Sequence, residues 1–245
     1  MKAIIAGASA GLGRSLAEAL GANGYDLLLI AGDVRDLQAL AAHLRLVCSV
    51  RVEVCAVRID AVSAWLDPLR SAIQRFGPVD TLLLPIGLSR NDDDGSLALD
   101  ALRDIFEANL IGIMAIVELV LPTMERAGKG CIAGFGSIAA ARGRSQNVAY
   151  AAAKRGLASY FQSLRHRLGG TGVAAQFFII GYMSSQQSFG KKLLLPVATT
   201  EAVAARVLAA MRLKGPITAH LPSFWWAVEV MIRIVPWRIF NRMKA

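Results

Sequence analysis

A chain of 245 residues is long enough for one large domain with a substantial core. Its hydrophobic share of 55% is high, yet no run of about 18 uncharged apolar residues is bounded like a membrane span. The nearest, Ala108 to Pro122, is broken by Glu118 and stops at the proline. The formal charge of +9 at pH 7 raises nucleic acid as a partner, but no zinc finger, basic zipper or RNA-binding aromatic pattern accompanies it. Nucleic acid is therefore the least favoured partner class. The opening MKAIIAGASAGLG has an apolar run too short for a signal peptide, so a cytoplasmic protein is expected.

Residues 2 to 6 read as a short apolar strand that runs directly into Gly7-Ala8-Ser9-Ala10-Gly11-Leu12-Gly13 and then a helix from Arg14 to Ala22. Glycines permit a tight turn and close backbone approach, and the unpaired N–H groups of a helix N-terminus suit a pyrophosphate. A second strand, Asp26 to Ala31, ends at Gly32-Asp33. An acid at this point bonds the ribose hydroxyl of NAD, whereas a basic residue accommodates the phosphate of NADP. Asp33 falls one or two positions late, and Arg14 or Arg35 is within reach of a phosphate. The cofactor stays open between NAD(H) and NADP(H), with a slight lean to NADP(H).

The alternation continues with helix 34 to 46, strand 51 to 57 with Asp60 at its end, helix 62 to 76, and strand 79 to 84 ending in Pro85-Ile86-Gly87. A long helical stretch from 97 to 127 carries Asn109; strand 130 to 135, helix 148 to 168 and strand 173 to 180 follow. Residues 182 to 198 interrupt the pattern and read as a mobile substrate-covering segment. A helix from 200 to 211 and a strand from 216 to 221 complete it. Strands alternating with helices over short connections imply right-handed crossovers and a doubly wound, Rossmann-type α/β fold with a parallel sheet of about seven strands. A single domain, 1–221, is expected, followed by an amphipathic segment, 222–245.

Cys48, Cys55 and Cys131 lack metal-like spacing, and His43, His166 and His220 form no ligand pattern; no metal site is assigned. Basic residues gather in two places. Arg142, Arg144, Lys154, Arg155, Arg165 and Arg167 have no acid among them, and the tail carries Arg233, Arg238, Arg242 and Lys244 against Glu229 alone. Arg142 and Arg144 read as solvated loop arginines, with contact to an anionic substrate as the alternative.

Chemistry concentrates between Gly134 and Arg155. Tyr150 and Lys154 are four apart in an Ala-rich run, so they share a helical face, and Ser137 follows an apolar strand. A free tyrosine titrates near ~10; a neighbouring ammonium in a dry site lowers that value and readies the phenol for acid–base work.

These motifs together resemble the short-chain dehydrogenase/reductase family over essentially the whole chain. GASAGLG looks like its cofactor turn, Asp60 like its adenine-contacting acid, and Asn109, Ser137, Tyr150 and Lys154 like its active-site tetrad. The resemblance implies an NAD(P)(H)-dependent oxidoreductase acting on a carbonyl or secondary alcohol. In it Tyr150 is the general acid/base and Ser137 bonds the substrate oxygen. Lys154 holds the nicotinamide ribose and depresses the Tyr150 pKa, and Asn109 supports a water that reaches Lys154. Cofactor contacts fall to Gly7, Ser9, Gly11, Leu12, Gly13, Asp33, Asp60, Gly87, Tyr150, Lys154 and Gly181. Three departures stand out: Ala6 replaces the usual Thr, Pro85-Ile86-Gly87 the usual Asn-Ala-Gly, and Ile180-Gly181 the usual Pro-Gly, which loosens the backbone near the nicotinamide.

A narrower resemblance, carried by RGRSQNVAYAAAKRGLASYF and LPSFWWAVEVMIRIVPWRIFNRM, is to the branch reducing the decaprenylphosphoryl 2-keto-erythro-pentose intermediate of cell-envelope synthesis. It implies a lipid-linked keto-sugar substrate. The tail is basic, Trp-bearing, amphipathic and too short to span a bilayer, which suits a membrane interface at the inner face; packing on a partner subunit or on the domain itself is the alternative. Apolar residues Ile113, Val117 and Phe161, read as outer positions of the long helices, imply a homodimer or homotetramer. Two further readings of the whole chain remain: a reductase of another keto substrate, and a non-catalytic nucleotide-binding regulator.

Overall fold

Strands made of unbroken apolar runs, such as Leu27 to Ala31 and Leu82 to Leu84, need cover on both faces. A computed structural model describes residues 1–59, 62–184, 196–213 and 215–242. In it Lys2–Ala6 (β1), Asp26–Ala31 (β2), Val52–Ala56 (β3), Thr81–Leu84 (β4), Gly130–Ser137 (β5), Val173–Ile180 (β6) and Ile217–Leu221 (β7) form one sheet in the order β3-β2-β1-β4-β5-β6-β7. Every pairing is parallel. The order reverses between β1 and β4, the point at which sheets of this kind form a ligand crevice at the carboxyl ends of their strands.

Successive strand residues face opposite layers. Ile4, Leu28 and Leu82 pack under Val62–Phe76 (α3), Gly112–Ala127 (α5) and Val148–Arg167 (α6), with Trp65, Phe76, Ile116 and Phe161 between. Ile5, Leu29 and Leu83 face Gly11–Ala22 (α1), Val34–Cys48 (α2) and Thr200–Met211, with Leu16, Leu40 and Val207 between. The expected bounds of β1, β2, α3, β6 and the 200–211 helix match residue for residue.

The long helix expected over 97–127 is composite: Leu99–Phe106 (α4), a π turn Glu107–Ile111, then α5. By length and composition Leu99–Ala127 is able to cross a membrane, but half of its most apolar window is buried within the fold. Ile113, Val117 and Phe161 are not outer residues. All three are fully buried, because they lie on the stripe that α5 and α6 turn to the sheet; Ile111 and Met114 are the exposed neighbours. After α6, Thr200–Met211 (α7) and β7, the chain adds Trp225–Ile234 (α8), breaks at Pro236 and ends its described part with Trp237–Phe240 (α9). Of the expected covering segment, residues 185–195 lie outside the described residues, as does Asp60. The segment's base is pinned where Ser184 N–H donates to Ala198 O and Ala198 N–H to Tyr182 O.

Candidate active site

The glycine turn joins β1 to α1 at the crevice. Gly7 sits at φ +93°, and a Cβ there would lie 3.1 Å from Pro85 O. A Cβ on Gly13 would come within 1.9 Å of Gly7 O, so the first turn of α1 rests directly on the loop. Ala10, at the helix N-cap, has no side-chain acceptor, which leaves the first N–H groups of α1 without a side-chain cap. This backbone cradle, with Ser9 and the buried Leu12 in it, fits a dinucleotide pyrophosphate. Asp33 stands just past the end of β2, as expected, and has a second task there. It caps α2, accepting from Arg35 N–H (2.9 Å) and Asp36 N–H (3.2 Å), so one carboxylate oxygen is already engaged. The side chain that runs beside Gly32 is Arg58, whose Cγ is 3.4 Å from where a Gly32 Cβ would stand. Arg14 is paired with Glu18 at 3.1 Å.

Across the crevice, β5 delivers Ser137 and α6 delivers Tyr150 and Lys154. Ser137 Oγ accepts from Ala139 N–H (3.2 Å) in the short 3₁₀ turn Ile138–Ala140, and its hydroxyl lies close enough to the Tyr150 phenol to influence its proton. Arg155 holds the same turn through Ala140 O and Ala141 O. Gly87 lies between the tetrad members: from its ideal Cβ position, Asn109 Oδ1 and Tyr150 OH are each 4.0 Å away.

Lys154 is 2% exposed and donates to Ile86 O (2.7 Å) and Phe135 O (3.0 Å). Burial lowers its pKa to about 7. Burial also raises Tyr150 above the usual phenol value, and the Ser137 hydrogen bond draws it partly back. The expected depression of Tyr150 by Lys154 is therefore absent from the protein's own field. The ammonium is turned to two carbonyls 5.9 Å from the phenol ring's centre, and near neutrality a lysine with pKa about 7 is only partly charged.

Asn109, in the π turn, is fully buried and its side chain is spent within the protein. Nδ2 donates to Leu88 O (2.7 Å) and Ile105 O (2.8 Å), and Oδ1 accepts from Leu88 N–H (3.1 Å). The side chain thus pins the strand-end turn whose Ile86 carbonyl holds Lys154.

Sequence reasoning missed three residues here. Asp93, 2% exposed, accepts from Ala149 N–H and Tyr150 N–H at 2.9 Å each and so caps α6 from outside it. Its only signal was one acid in the run Asn91-Asp92-Asp93-Asp94-Gly95, which looks like a solvated turn. Trp225 lies over Gly181: a Cβ there would be 1.9 Å from its Nε1. Gly181 is therefore clamped rather than loosened, and Trp225 also packs on Ile138, Ala141 and Tyr182 beside Ser137. Arg142 is not a solvated loop arginine. It donates to Ile232 O (2.9 Å) and Val235 O at the end of α8 and lies over the Phe240 ring at 4.3 Å. Arg144 is half-buried, with its Nε sequestered. A cavity of about 510 Å3 lies at the opposite end of the sheet among Tyr25, Asp80, Lys129 and Arg212, away from these groups.

A sequence model of the short chain dehydrogenase family matches residues 1–191, and the chain belongs to that family. It is an NAD(P)-dependent oxidoreductase acting on alcohol or ketone substrates. Among curated relatives, an uncharacterized oxidoreductase of Myxococcus xanthus is 27% identical over 98% of this chain and 94% of its own length. The ketoacyl reductase HetN of Nostoc is 28% identical over 92% and 83%. A solved short-chain dehydrogenase from Sphingobium yanoikuyae in complex with NADPH shares the fold, with a TM-score of 0.83 at 21% identity over 99% of this chain and 96% of its own.

Proposed function

We propose that the protein reduces the carbonyl of a large, lipid-linked keto compound, with a keto-sugar of the decaprenylphosphoryl 2-keto-erythro-pentose kind as the specific substrate. The observation that carries the chemistry is the convergence of Ser137, at the carboxyl edge of β5, with Tyr150 and the buried Lys154 of α6 beside Gly87, opposite the glycine cradle. Gly7, Ser9, Gly11, Leu12 and Gly13 would hold the pyrophosphate and Lys154 the nicotinamide ribose. Arg58 and Arg35 favour NADP(H), since both carry positive charge near the end of β2. When bound, the nicotinamide supplies hydride to the substrate carbon or accepts it.

The chain's own residues handle the proton. In reduction Ser137 hydrogen-bonds the carbonyl oxygen while Tyr150 O–H gives up its proton to that oxygen, so that hydride and proton together convert the ketone to a secondary alcohol. A raised Tyr150 pKa keeps the phenol protonated at neutrality, which suits this direction. Lys154, with pKa about 7, is able to return a proton at working pH.

Support for a bulky substrate comes from the wall beyond Ser137, where Trp225 and Tyr182 meet edge to face with ring centres 4.9 Å apart. A 3-oxoacyl substrate is the second reading, favoured by the ketoacyl reductase relative. Fluorescence titration with NADH and NADPH, then turnover on a small ketone, a 3-oxoacyl thioester and a prenylphosphoryl keto-sugar, tests both. Preference for NADPH and for the keto-sugar is expected. Preference for the thioester selects the second reading, and cofactor binding without turnover on any of them selects a nucleotide-binding regulator.

A further inference from the structure

The C-terminal segment has two unlike faces. Inward, Trp225 and Glu229 are 2% and 7% exposed; Glu229 meets His220 Nε2 at 2.5 Å and Arg233 at 2.5 Å. Outward, Trp226, Val230 and Ile234 follow one another at four-residue spacing and are 62%, 40% and 74% exposed. Met231 lies beside them, and beyond Pro236 the exposed Trp237 and Ile239 extend the strip. A helix that merely closes a domain presents polar residues to water. Here the outward positions of α8 from 226 to 234 carry one charged residue, Arg233, at the margin and already paired inward. Contiguous exposed apolar surface of this kind marks an interaction site. The strip is also held in place, because Arg142 fastens the end of α8 and the start of α9 to the loop between Ser137 and Tyr150.

We propose that this outward face docks on an anionic lipid bilayer, with α8 and α9 lying in the headgroup region. Charge argues for that occupant. Arg238 and Arg242 flank the strip exposed, and residues 230–242 contain no acid. A negatively charged leaflet complements such a face. A second copy of the chain does not, because a two-fold contact brings each arginine near its equivalent with no carboxylate to pair. Length and residue type fit as well. Ten residues of α8 span about 15 Å, half of a ~30 Å hydrocarbon core, so the helix lies on the bilayer rather than across it. Tryptophans at both ends of the strip sit best at headgroup depth.

The proposal stands apart from the substrate reading, and its test involves no turnover. The full chain is sedimented with vesicles of phosphatidylcholine alone and with vesicles containing about a third phosphatidylglycerol. Partition onto the anionic vesicles is expected to be at least about tenfold stronger and to fall as salt approaches about 1 M. A Trp226→Ser/Ile234→Ser protein and an Arg238→Glu/Arg242→Glu protein should each lose at least about tenfold in partition while keeping the wild-type melting temperature and cofactor binding. Equal partition of the wild type and both variants, or none by the wild type, overturns the proposal. So does sedimentation velocity in which the wild type is a dimer and the Trp226→Ser/Ile234→Ser protein a monomer, which would assign the face to a second copy.

Discussion

Two buried charged residues lie close to Ser137 and are treated in opposite ways. Glu229, under α8, has a partner on each carboxylate oxygen, His220 on one and Arg233 on the other. Lys154, in α6, has no carboxylate partner among the described residues; the two acceptors of its Nζ are neutral carbonyls, and burial lowers its pKa to about 7. Both side chains line one small cavity of about 50 Å3, so the contrast is not one of depth or distance. A fully compensated charge fixes a packing arrangement, whereas an uncompensated one keeps a proton exchangeable near neutrality. Glu229 thus belongs to the packing that holds the C-terminal segment, whereas Lys154 belongs to the proposed acid–base site.

The sharpest break is at the phenol. Tyr150→Phe should lower turnover by about 10²–10⁴-fold while NADPH titration stays near wild type, since only the acid–base group is removed. Retained turnover would remove Tyr150 from the mechanism. Next is the lysine. Between about pH 7 and 10.5 the unfolded chain holds a proton that native Lys154 has lost, so stability should climb with pH, by at most about 1.4 kcal/mol per unit. Below pH 7 both states are charged and the cost of burying the ammonium is constant. In Lys154→Met the climb should vanish from urea melts taken across that range.

On the other side of the comparison, Glu229→Gln should cost about 1–3 kcal/mol in urea midpoint, because two charge-assisted bonds go and the exposed Arg233 recovers only solvent. Turnover should change less than twofold if the acid is purely structural. Asp93→Ala removes a cap and leaves two N–H groups of α6 without it; about 1–2 kcal/mol of stability and a clear loss in kcat with little change in KM are expected, because Tyr150 is displaced. Smallest, Arg142→Ala should cost about 1 kcal/mol and be read most easily as faster proteolytic trimming of residues beyond 222.

Particular residues show how far sequence reaches. Tyr150, Lys154, Ser137 and the glycine turn were legible because each depends on local geometry: helical spacing, a strand end, a turn that tolerates no Cβ. Asp93 was not, because its meaning lies in N–H groups more than fifty residues away, and a run of three aspartates has the look of a wet loop. Ile113, Val117 and Phe161 were assigned the wrong face because α5 and α6 are apolar on more than one side, and periodicity alone does not say which side meets the sheet. The direction of the Tyr150 shift was misjudged for a related reason. Proximity to Lys154 follows from the sequence, but the turning of its Nζ toward Ile86 and Phe135 follows from β4 and β5 meeting beside α6.

By itself, then, the sequence determined the doubly wound sheet, the glycine turn between β1 and α1, and the placing of Ser137, Tyr150 and Lys154 on β5 and α6, all products of short-range periodicity and turn chemistry. Tertiary structure decided what depends on which distant atoms meet. It set Arg142 as a clamp on α8, Gly181 as the seat of Trp225, the burial of Tyr150 and Lys154, and which face of the C-terminal segment stays exposed. Desolvation and close packing act between elements far apart along the chain, and only the assembled fold brings them together.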